Sequence, residues 1–117
     1  MKEYGQTLDL KDDPELIAQY KQHHQAVWPQ VCTSLREVGI LGMRIYLLGQ
    51  RMFMVMQTVD DFNPERDFAH YLELDPKCQE WEDLMGKFQQ PLPQAQPGEK
   101  WLYMDKVFDL DWHAEGH

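Results

Sequence analysis

The chain has 117 residues, which suffices for one domain with its own core and is too short for two. It carries 20 acidic against 11 basic residues, a net charge of −9, which argues against nucleic acids and anionic membranes as partners because phosphates would be repelled. A neutral small molecule fits this charge. Hydrophobic residues make up 43% of the chain, as in a folded globular protein, so we expect a single domain over residues 1–117.

The cysteines and the beginning of the chain bear on its location. Cys32 and Cys78 show neither the C-x-x-C spacing nor a metal-type spacing. The first ten residues lack the apolar segment of a signal peptide, and no apolar run approaches the roughly 18 residues of a membrane span. We therefore expect a cytoplasmic protein with reduced thiols.

The first third of the chain predicts a strand followed by two helices. Residues 3–10 alternate loosely in hydrophobicity, which favours a strand. Asp13 can cap a helix, and Pro14 suits the first helical position. Because proline disfavours helical geometry in the residue before it, we expect a break at Trp28–Pro29. A second helix then runs to Gly39, a natural C-terminal stop.

The rest of the chain predicts a hairpin, two further helices and a last strand. The predicted elements are strands over 40–48 and 51–59, helices over 65–74 and 76–88, a loop rich in Gln and Pro over 89–100, and a strand over 101–108. Gly49-Gln50 forms the tight turn of the hairpin. We expect the polar tail, residues 110–117, to be mobile at its end.

This order of elements predicts an α+β, ferredoxin-like β-α-β-β-α-β domain, with a four-stranded antiparallel sheet and helices on one face. The third strand is apolar on both faces. Either Met52, Met54 and Met56 or Phe53 and Val55 must therefore be covered on the face without helices. A second subunit is the simplest cover, so we predict a homodimer packed sheet to sheet.

The segment Y-K-Q-H-H-Q-A-V-W-P holds the strongest candidate site. Tyr20, His24 and Trp28 are spaced i, i+4 and i+8, which on one helix places their side chains on one face. A phenol, an imidazole and an indole together offer hydrogen bonds, proton transfer and an apolar plate, which are the groups that a sugar needs. The alternative is an aromatic stripe that only packs in the core.

Other sites are disfavoured by the pattern of the remaining residues. His23 and His24 are adjacent and cannot share an ion on one helix face, and no HExxH is present, so we expect no metal. His113 and His117 are expected to be solvated in the tail. No phosphate-binding loop, dinucleotide fingerprint or nucleophile elbow occurs.

Three motifs together resemble the L-rhamnose mutarotase family. They are Y-x3-H-x3-W-P from Tyr20, G-x6-Y-L from Gly39, and C-Q-x-W-x3-M from Cys78. The resemblance runs from about residue 4 to 108. It implies a dimeric ferredoxin-like isomerase of the α+β-barrel type that interconverts the α and β anomers of a 6-deoxy-L-hexose without a cofactor. It also implies that His24 is the proton donor and that Tyr20 contacts the sugar.

Two positions depart from the pattern of the family's rhamnose enzymes. Met43 stands where they place a sugar-contacting tyrosine, and Glu82 follows Trp81 where they carry a tryptophan pair. Methionine cannot donate a hydrogen bond, and glutamate is a charged acceptor rather than an aromatic plate. These departures leave both L-rhamnose and L-fucose open as substrates.

The sequence-based mechanism gives each of these residues a role. His24 protonates the ring oxygen, while a second group or a water takes the proton of the anomeric hydroxyl. Tyr20 orients the sugar or His24, and Trp81 stacks on the sugar. Trp28 either stacks as well or only packs. The alternatives are a sugar-binding module without catalysis, and a monooxygenase-type or haem-dependent enzyme of the same dimeric fold.

Overall fold

The domain is built on an antiparallel sheet of five strands. A computed structural model describes residues 1–113, in which the strands are β1 (Lys2–Leu10), β2 (Ile40–Leu48), β3 (Arg51–Thr58), β4 (Gln89–Gln90) and β5 (Leu102–Met104). The spatial order is β2-β3-β1-β4, and β5 also pairs with β1. The expected ferredoxin-like α+β arrangement is confirmed, with five strands where four were predicted.

The predicted last strand over 101–108 is wrong in its length. Only Leu102–Met104 pairs with β1, at Gly5–Thr7, while β4 lies in the predicted loop and pairs with Asp9 and Leu10. Prolines at 91, 93 and 97 separate β4 from β5. Because proline cannot donate to a strand ladder, this edge of β1 is shared by two short strands instead of one long one.

Each of the four helices begins at a proline. They are α1 (Pro14–His24), α2 (Pro29–Glu37), α3 (Pro64–Leu74) and α4 (Pro76–Gly86). The side chains of Asp13, Asn63 and Asp75 accept hydrogen bonds from the first free backbone N–H groups of α1, α3 and α4. Within residues 1–113 no helix has both the length and the apolar character needed to cross a membrane.

The break before Pro29 is confirmed, but α1 ends earlier than the aromatic spacing predicted. The helix stops at His24, and Trp28 is the N-cap residue of α2 with an extended backbone, φ −60° and ψ 134°. The prediction that Tyr20, His24 and Trp28 share one helix face is therefore wrong for Trp28. The physical reason is the proline itself, which pushes the preceding residue out of the helical region.

The two faces of the sheet differ in their cover. Met52, Met54 and Met56 point towards the helices and are buried together with Leu8 and Leu10. The outer face carries exposed apolar side chains, which are Tyr46, Leu48, Phe53 and Met104. Of the two alternatives left by the sequence, the row that contains Phe53 and Val55 is the one that the helices leave uncovered.

The C-terminal segment is only partly described. A short 3₁₀-helix covers Leu110–His113, and all four of its residues are exposed, including His113 as expected. The expectations for His117 and for a mobile end of the tail fall on residues 114–117, which lie outside the described residues.

Candidate active site

A cavity of about 270 Å³ lies between the inner face of the sheet and the helices. This volume is near the lower end of the roughly 300–1,000 Å³ typical of ligand pockets, which suits a ligand of monosaccharide size. Its polar lining comes from all parts of the chain and consists of Gln6, Tyr20, His24, Tyr71, Glu82, Gln89, Lys100 and Tyr103. A neighbouring cavity of about 460 Å³, beside the edge strand β2, shares Tyr20, His24 and Met43 with it.

His24 ends α1 and lines this cavity. Its Nδ1 lies 3.0 Å from the backbone oxygen of Tyr20. Because a carbonyl oxygen only accepts, Nδ1 carries a hydrogen, and in the neutral ring Nε2 is left with a lone pair. Burial lowers the pKa of His24 below its ordinary value of 6.5, while the hydrogen bond to the backbone oxygen of Tyr20 acts against this shift. At neutral pH the free nitrogen is therefore a proton acceptor.

Tyr20 lies one turn before His24 and is only 5% exposed. The two ring centroids are 4.3 Å apart. Burial raises the pKa of Tyr20 to about 12, while a hydrogen bond from Gln89 acts in the opposite direction. The phenol therefore stays protonated near neutral pH, and its hydroxyl can both donate and accept hydrogen bonds.

Two tryptophans form the aromatic wall beside His24. Trp81 on α4 lines the cavity, with its ring centroid 5.4 Å from that of His24 in an edge arrangement. Trp28 packs against the other side of Trp81 at 5.3 Å, and the ammonium of Lys77 lies 5.3 Å above the Trp28 ring. Within the described residues Trp28 lines neither cavity. Its described contacts are therefore with Trp81 and Lys77.

Glu82 brings a carboxyl group into the cavity. It follows Trp81 on α4, and the hydroxyl of Tyr71 donates to its Oε2 at 3.4 Å. Burial raises the pKa of Glu82 above its ordinary value of 4.5, with Lys100 and Tyr71 acting against this shift. Burial also raises the pKa of Tyr71, which keeps this phenol protonated.

Gln6 and Gln89 contribute amides that sequence reasoning missed. Gln6 is buried on the inner face of β1, where its Nε2 contacts the weakly accepting sulfurs of Met54 and Met56 at 3.5 and 4.0 Å. The Oε1 of Gln89 is buried and finds no donor among the described residues. Gln6 could have been noticed, since it is a polar residue at an inward-facing position of a strand. Gln89 gave no such signal.

The structure brings five of the predicted site residues to one cavity: Tyr20, His24, Met43, Trp81 and Glu82. Among residues 1–113, no three His, Cys, Asp or Glu side chains are grouped as a metal site would require. The cavity offers hydrogen-bond partners for hydroxyl groups, an aromatic surface for C–H groups, and two side chains that can exchange protons.

The chain matches sugar mutarotases over most of its length. The family model described as L-rhamnose mutarotase matches residues 3–110. An L-fucose mutarotase of Xanthomonas campestris pv. campestris is 43% identical over 105 residues, covering 88% of this chain and 83% of the relative. A UPF0734 protein of Dictyostelium discoideum is 49% identical over 117 residues, covering 97% of this chain and 94% of the relative.

Solved structures share the fold at low sequence identity. An L-rhamnose mutarotase from Formosa agariphila has a TM-score of 0.67 and 18% identity, covering 93% of this chain and 98% of that one. Tetracenomycin F2 cyclase from Streptomyces glaucescens has a TM-score of 0.60 and 16% identity over 93% and 98% of the chains. A dimeric ferredoxin-like protein from an uncultured marine organism has a TM-score of 0.51 and 13% identity over 92% and 90%. At these identities the likeness concerns the fold alone.

Proposed function

The chain belongs to the L-rhamnose mutarotase family, and we propose that its preferred substrate is L-fucose. It is an isomerase that interconverts the α and β anomers of a 6-deoxy-L-hexose. Support for L-fucose comes from the 43% identical relative that is named for this sugar. Met43 and Glu82 also line the cavity at the two positions where the chain departs from the pattern of rhamnose enzymes. Family membership favours this isomerase over a binding module or a monooxygenase-type enzyme.

The free Nε2 of His24 is the observation that carries the proposed mechanism. Mutarotation opens the ring by moving a proton off the anomeric hydroxyl and placing one on the ring oxygen. The sequence-based hypothesis has His24 protonate the ring oxygen. The lowered pKa and the hydrogen on Nδ1 favour the opposite order, in which Nε2 first accepts the anomeric proton. When the ring closes, the steps run in reverse and the same nitrogen returns the proton.

The remaining contacts are proposed from the positions of the side chains around His24. Tyr20 offers a protonated hydroxyl to the sugar, and Trp81 offers a flat surface for its apolar face. Glu82 accepts hydrogen bonds from hydroxyl groups, and Met43 packs against the ring. Trp28 holds Trp81 in place from behind. These contacts hold the sugar through groups other than C1. The aldehyde at C1 is therefore free to rotate after the sugar ring opens.

We propose that a second copy of the chain covers the outer face of the sheet. Tyr46 and Phe53 are paired across β2 and β3 on this face and are 57% and 40% exposed, while Leu48 is 85% exposed. Four more exposed apolar residues follow β5, namely Val107, Phe108, Leu110 and Trp112. An apolar surface of this extent favours a partner. Sheet-to-sheet packing around a twofold axis would bury the same residues on both copies.

A cytoplasmic location is also part of the proposal. Cys32 is half-buried and Cys78 is buried, and both are free thiols. Free thiols fit a reducing compartment, where disulfides rarely persist. Retention of both thiols in protein extracted from cells under alkylating conditions would support this location. A disulfide on either cysteine would contradict it.

Exchange NMR at the anomeric protons of L-fucose and L-rhamnose tests the proposed substrate. Each sugar is measured with and without the protein at the same concentration and pH. We expect faster exchange between the α and β signals for both sugars, with a higher kcat/KM for L-fucose. A higher kcat/KM for L-rhamnose would refute the preference while leaving the mutarotase assignment in place. D-glucose serves as the control sugar for non-specific acid–base catalysis.

A further inference from the structure

Mutarotation needs two proton transfers, and His24 accounts for only one of them. The anomeric oxygen must lose a proton while the ring oxygen gains one, and both oxygens are bonded to C1. A second side chain or a water must therefore lie in the same cavity as His24 and reach an oxygen on the same carbon. Its identity follows from a survey of the titratable groups around the cavity.

The titratable side chains of the cavity other than His24 are Tyr20, Tyr71, Glu82, Lys100 and Tyr103. Burial raises the pKa of each of the three phenols, so none of them loses its proton readily. The Lys100 side chain is exposed, and an ammonium ordinarily holds its proton far more tightly than a carboxyl does, which makes it the weaker proton donor. Glu82 is the remaining group, and a carboxyl both donates and accepts protons.

Within residues 1–113 the Glu82 carboxyl has a hydrogen-bond partner and no ion pair. The Tyr71 hydroxyl donates to Oε2 at 3.4 Å, and among the described residues Oε1 accepts no hydrogen bond. Glu82 is next to Trp81 on α4, and the Trp81 ring contacts the His24 ring. The carboxyl and the imidazole thus line the same small cavity, and Trp81, the residue before Glu82, contacts the imidazole.

We propose that Glu82 is the second acid–base residue of the reaction and works as a pair with His24. This inference rests on the proposed mutarotase function and adds a proton-transfer role to the binding role given above. In the opening step, Nε2 of His24 takes the proton of the anomeric hydroxyl and the neutral Glu82 carboxyl gives its proton to the ring oxygen. The bond between C1 and the ring oxygen breaks, and C1 and the anomeric oxygen form a carbonyl.

In the closing step the aldehyde turns about the bond between C1 and C2, and the ring oxygen attacks its other face. Glu82, now a carboxylate, takes back the proton of that oxygen. The imidazolium of His24 returns its proton to the former carbonyl oxygen. Both residues end in their starting protonation states, and no further reactant is needed.

The groups that face Glu82 bear on how readily its carboxyl keeps its proton. They are Tyr20 and His24 from α1, Tyr71 from α3, Asp83 on its own helix, and Lys100 and Tyr103 from the C-terminal segment. Burial is the largest influence and favours the neutral form, and Asp83 adds to it. Lys100 opposes it. Activity should therefore fall as pH rises through the raised pKa of Glu82, and as pH falls through the lowered pKa of His24.

Glu82→Gln tests the proposal because glutamine keeps the size of the side chain and cannot transfer a proton. We expect kcat for L-fucose exchange to fall by about 10²–10⁴-fold, the usual contribution of one acid–base group, with KM changed only a few-fold. The alkaline limb of the pH profile should disappear. Glu80→Gln is the matched control, since Glu80 is an exposed carboxylate on the same helix that pairs with Lys77 and does not line the cavity. It should keep wild-type kcat.

Glu82→Ala with added formate gives an independent readout. A small carboxylic acid that enters the vacated space should restore part of kcat in this variant and not in His24→Asn. Wild-type kcat in Glu82→Gln, or a raised KM with unchanged kcat, would overturn the proposal and leave Glu82 as a binding residue. Absence of anomer exchange in the wild-type protein would instead refute the proposed function, and the inference with it.

Discussion

His24→Asn is the substitution that tests the candidate site most directly. Asparagine is polar and smaller than histidine, and near neutral pH it neither takes up nor releases a proton. The cavity would keep Tyr20, Trp81 and Glu82, so sugar binding should persist. We therefore expect the loss to fall on kcat, with KM changed only a few-fold.

The expected loss can be separated from any damage to the fold. One acid–base group contributes about 10²–10⁴-fold, which is about 3–5 kcal/mol of activation free energy. In the folded state His24 makes one described hydrogen bond, from Nδ1 to the Tyr20 carbonyl oxygen. Its loss costs about 0.5–1.5 kcal/mol, against a total stability of about 5–15 kcal/mol for a typical domain. Unfolding therefore cannot produce a drop of this size.

The assay is exchange NMR at the anomeric protons of L-fucose, combined with a thermal melt of each variant. His23→Asn is the matched control, because the neighbouring His23 is half-buried against Phe88 and does not line the cavity. It should retain wild-type kcat. A His24→Asn variant that is folded and within about twofold of wild-type kcat would refute the role of His24, since acid–base groups contribute far more. An equal loss in both variants would also refute it.

The pH dependence of the wild-type enzyme checks the same residue. Burial lowers the pKa of His24 below 6.5, so the neutral base is present above that value and is lost as pH falls through the lowered pKa. We expect an acid limb in kcat/KM, which reports groups of the free enzyme, with its midpoint below pH 6.5. A midpoint above 6.5 would contradict the burial of the neutral imidazole.

The remaining predictions concern the dimer, the aromatic wall and the buried carboxyl. Phe53→Glu should convert a dimer into a monomer in sedimentation, while Glu73→Lys on an exposed position of α3 should not; a monomeric wild-type protein would refute the dimer. Trp81→Phe should raise KM for L-fucose by about 2–10-fold through weaker stacking, and Trp28→Phe should raise it less; equal effects would make Trp28 a contact residue. Folding raises the pKa of Glu82 above 4.5, so its contribution to stability is present below 4.5 and lost as pH rises. Glu82→Gln should therefore melt a few degrees above wild type in mildly alkaline buffer, with no difference near pH 4.5; a lower melting temperature at both would refute this.

Much of the fold could be predicted because its signals are local. Proline after Asp or Asn marks the starts of α1, α3 and α4, and the hairpin turn at Gly49 has the positive φ of 62° that glycine allows. The division of the last strand could not be predicted, because it depends on which part of β1 remains open for pairing.

The candidate site could also be predicted only in part. Tyr20 and His24 could be paired from their spacing, since both lie within one helix. The spacing gave a wrong prediction for Trp28. Because Pro29 keeps Trp28 out of the helical region, the helix ends before it reaches this residue. Glu82 was noticed as a departure from a motif, but its link to Tyr71 depends on how α3 packs against α4.

The sequence alone determined where helices begin, where the hairpin turns and which histidine is the candidate acid–base residue, because backbone dihedral preferences and helical spacing act over a few residues. Only the tertiary structure decided that the methionine row of β3 faces the helices and that Phe53 faces outwards. It also decided that Gln6, Tyr71, Glu82 and Gln89 meet in one cavity. Such choices depend on the packing of elements distant in sequence, and the burial that lowers the pKa of His24 arises only when they meet.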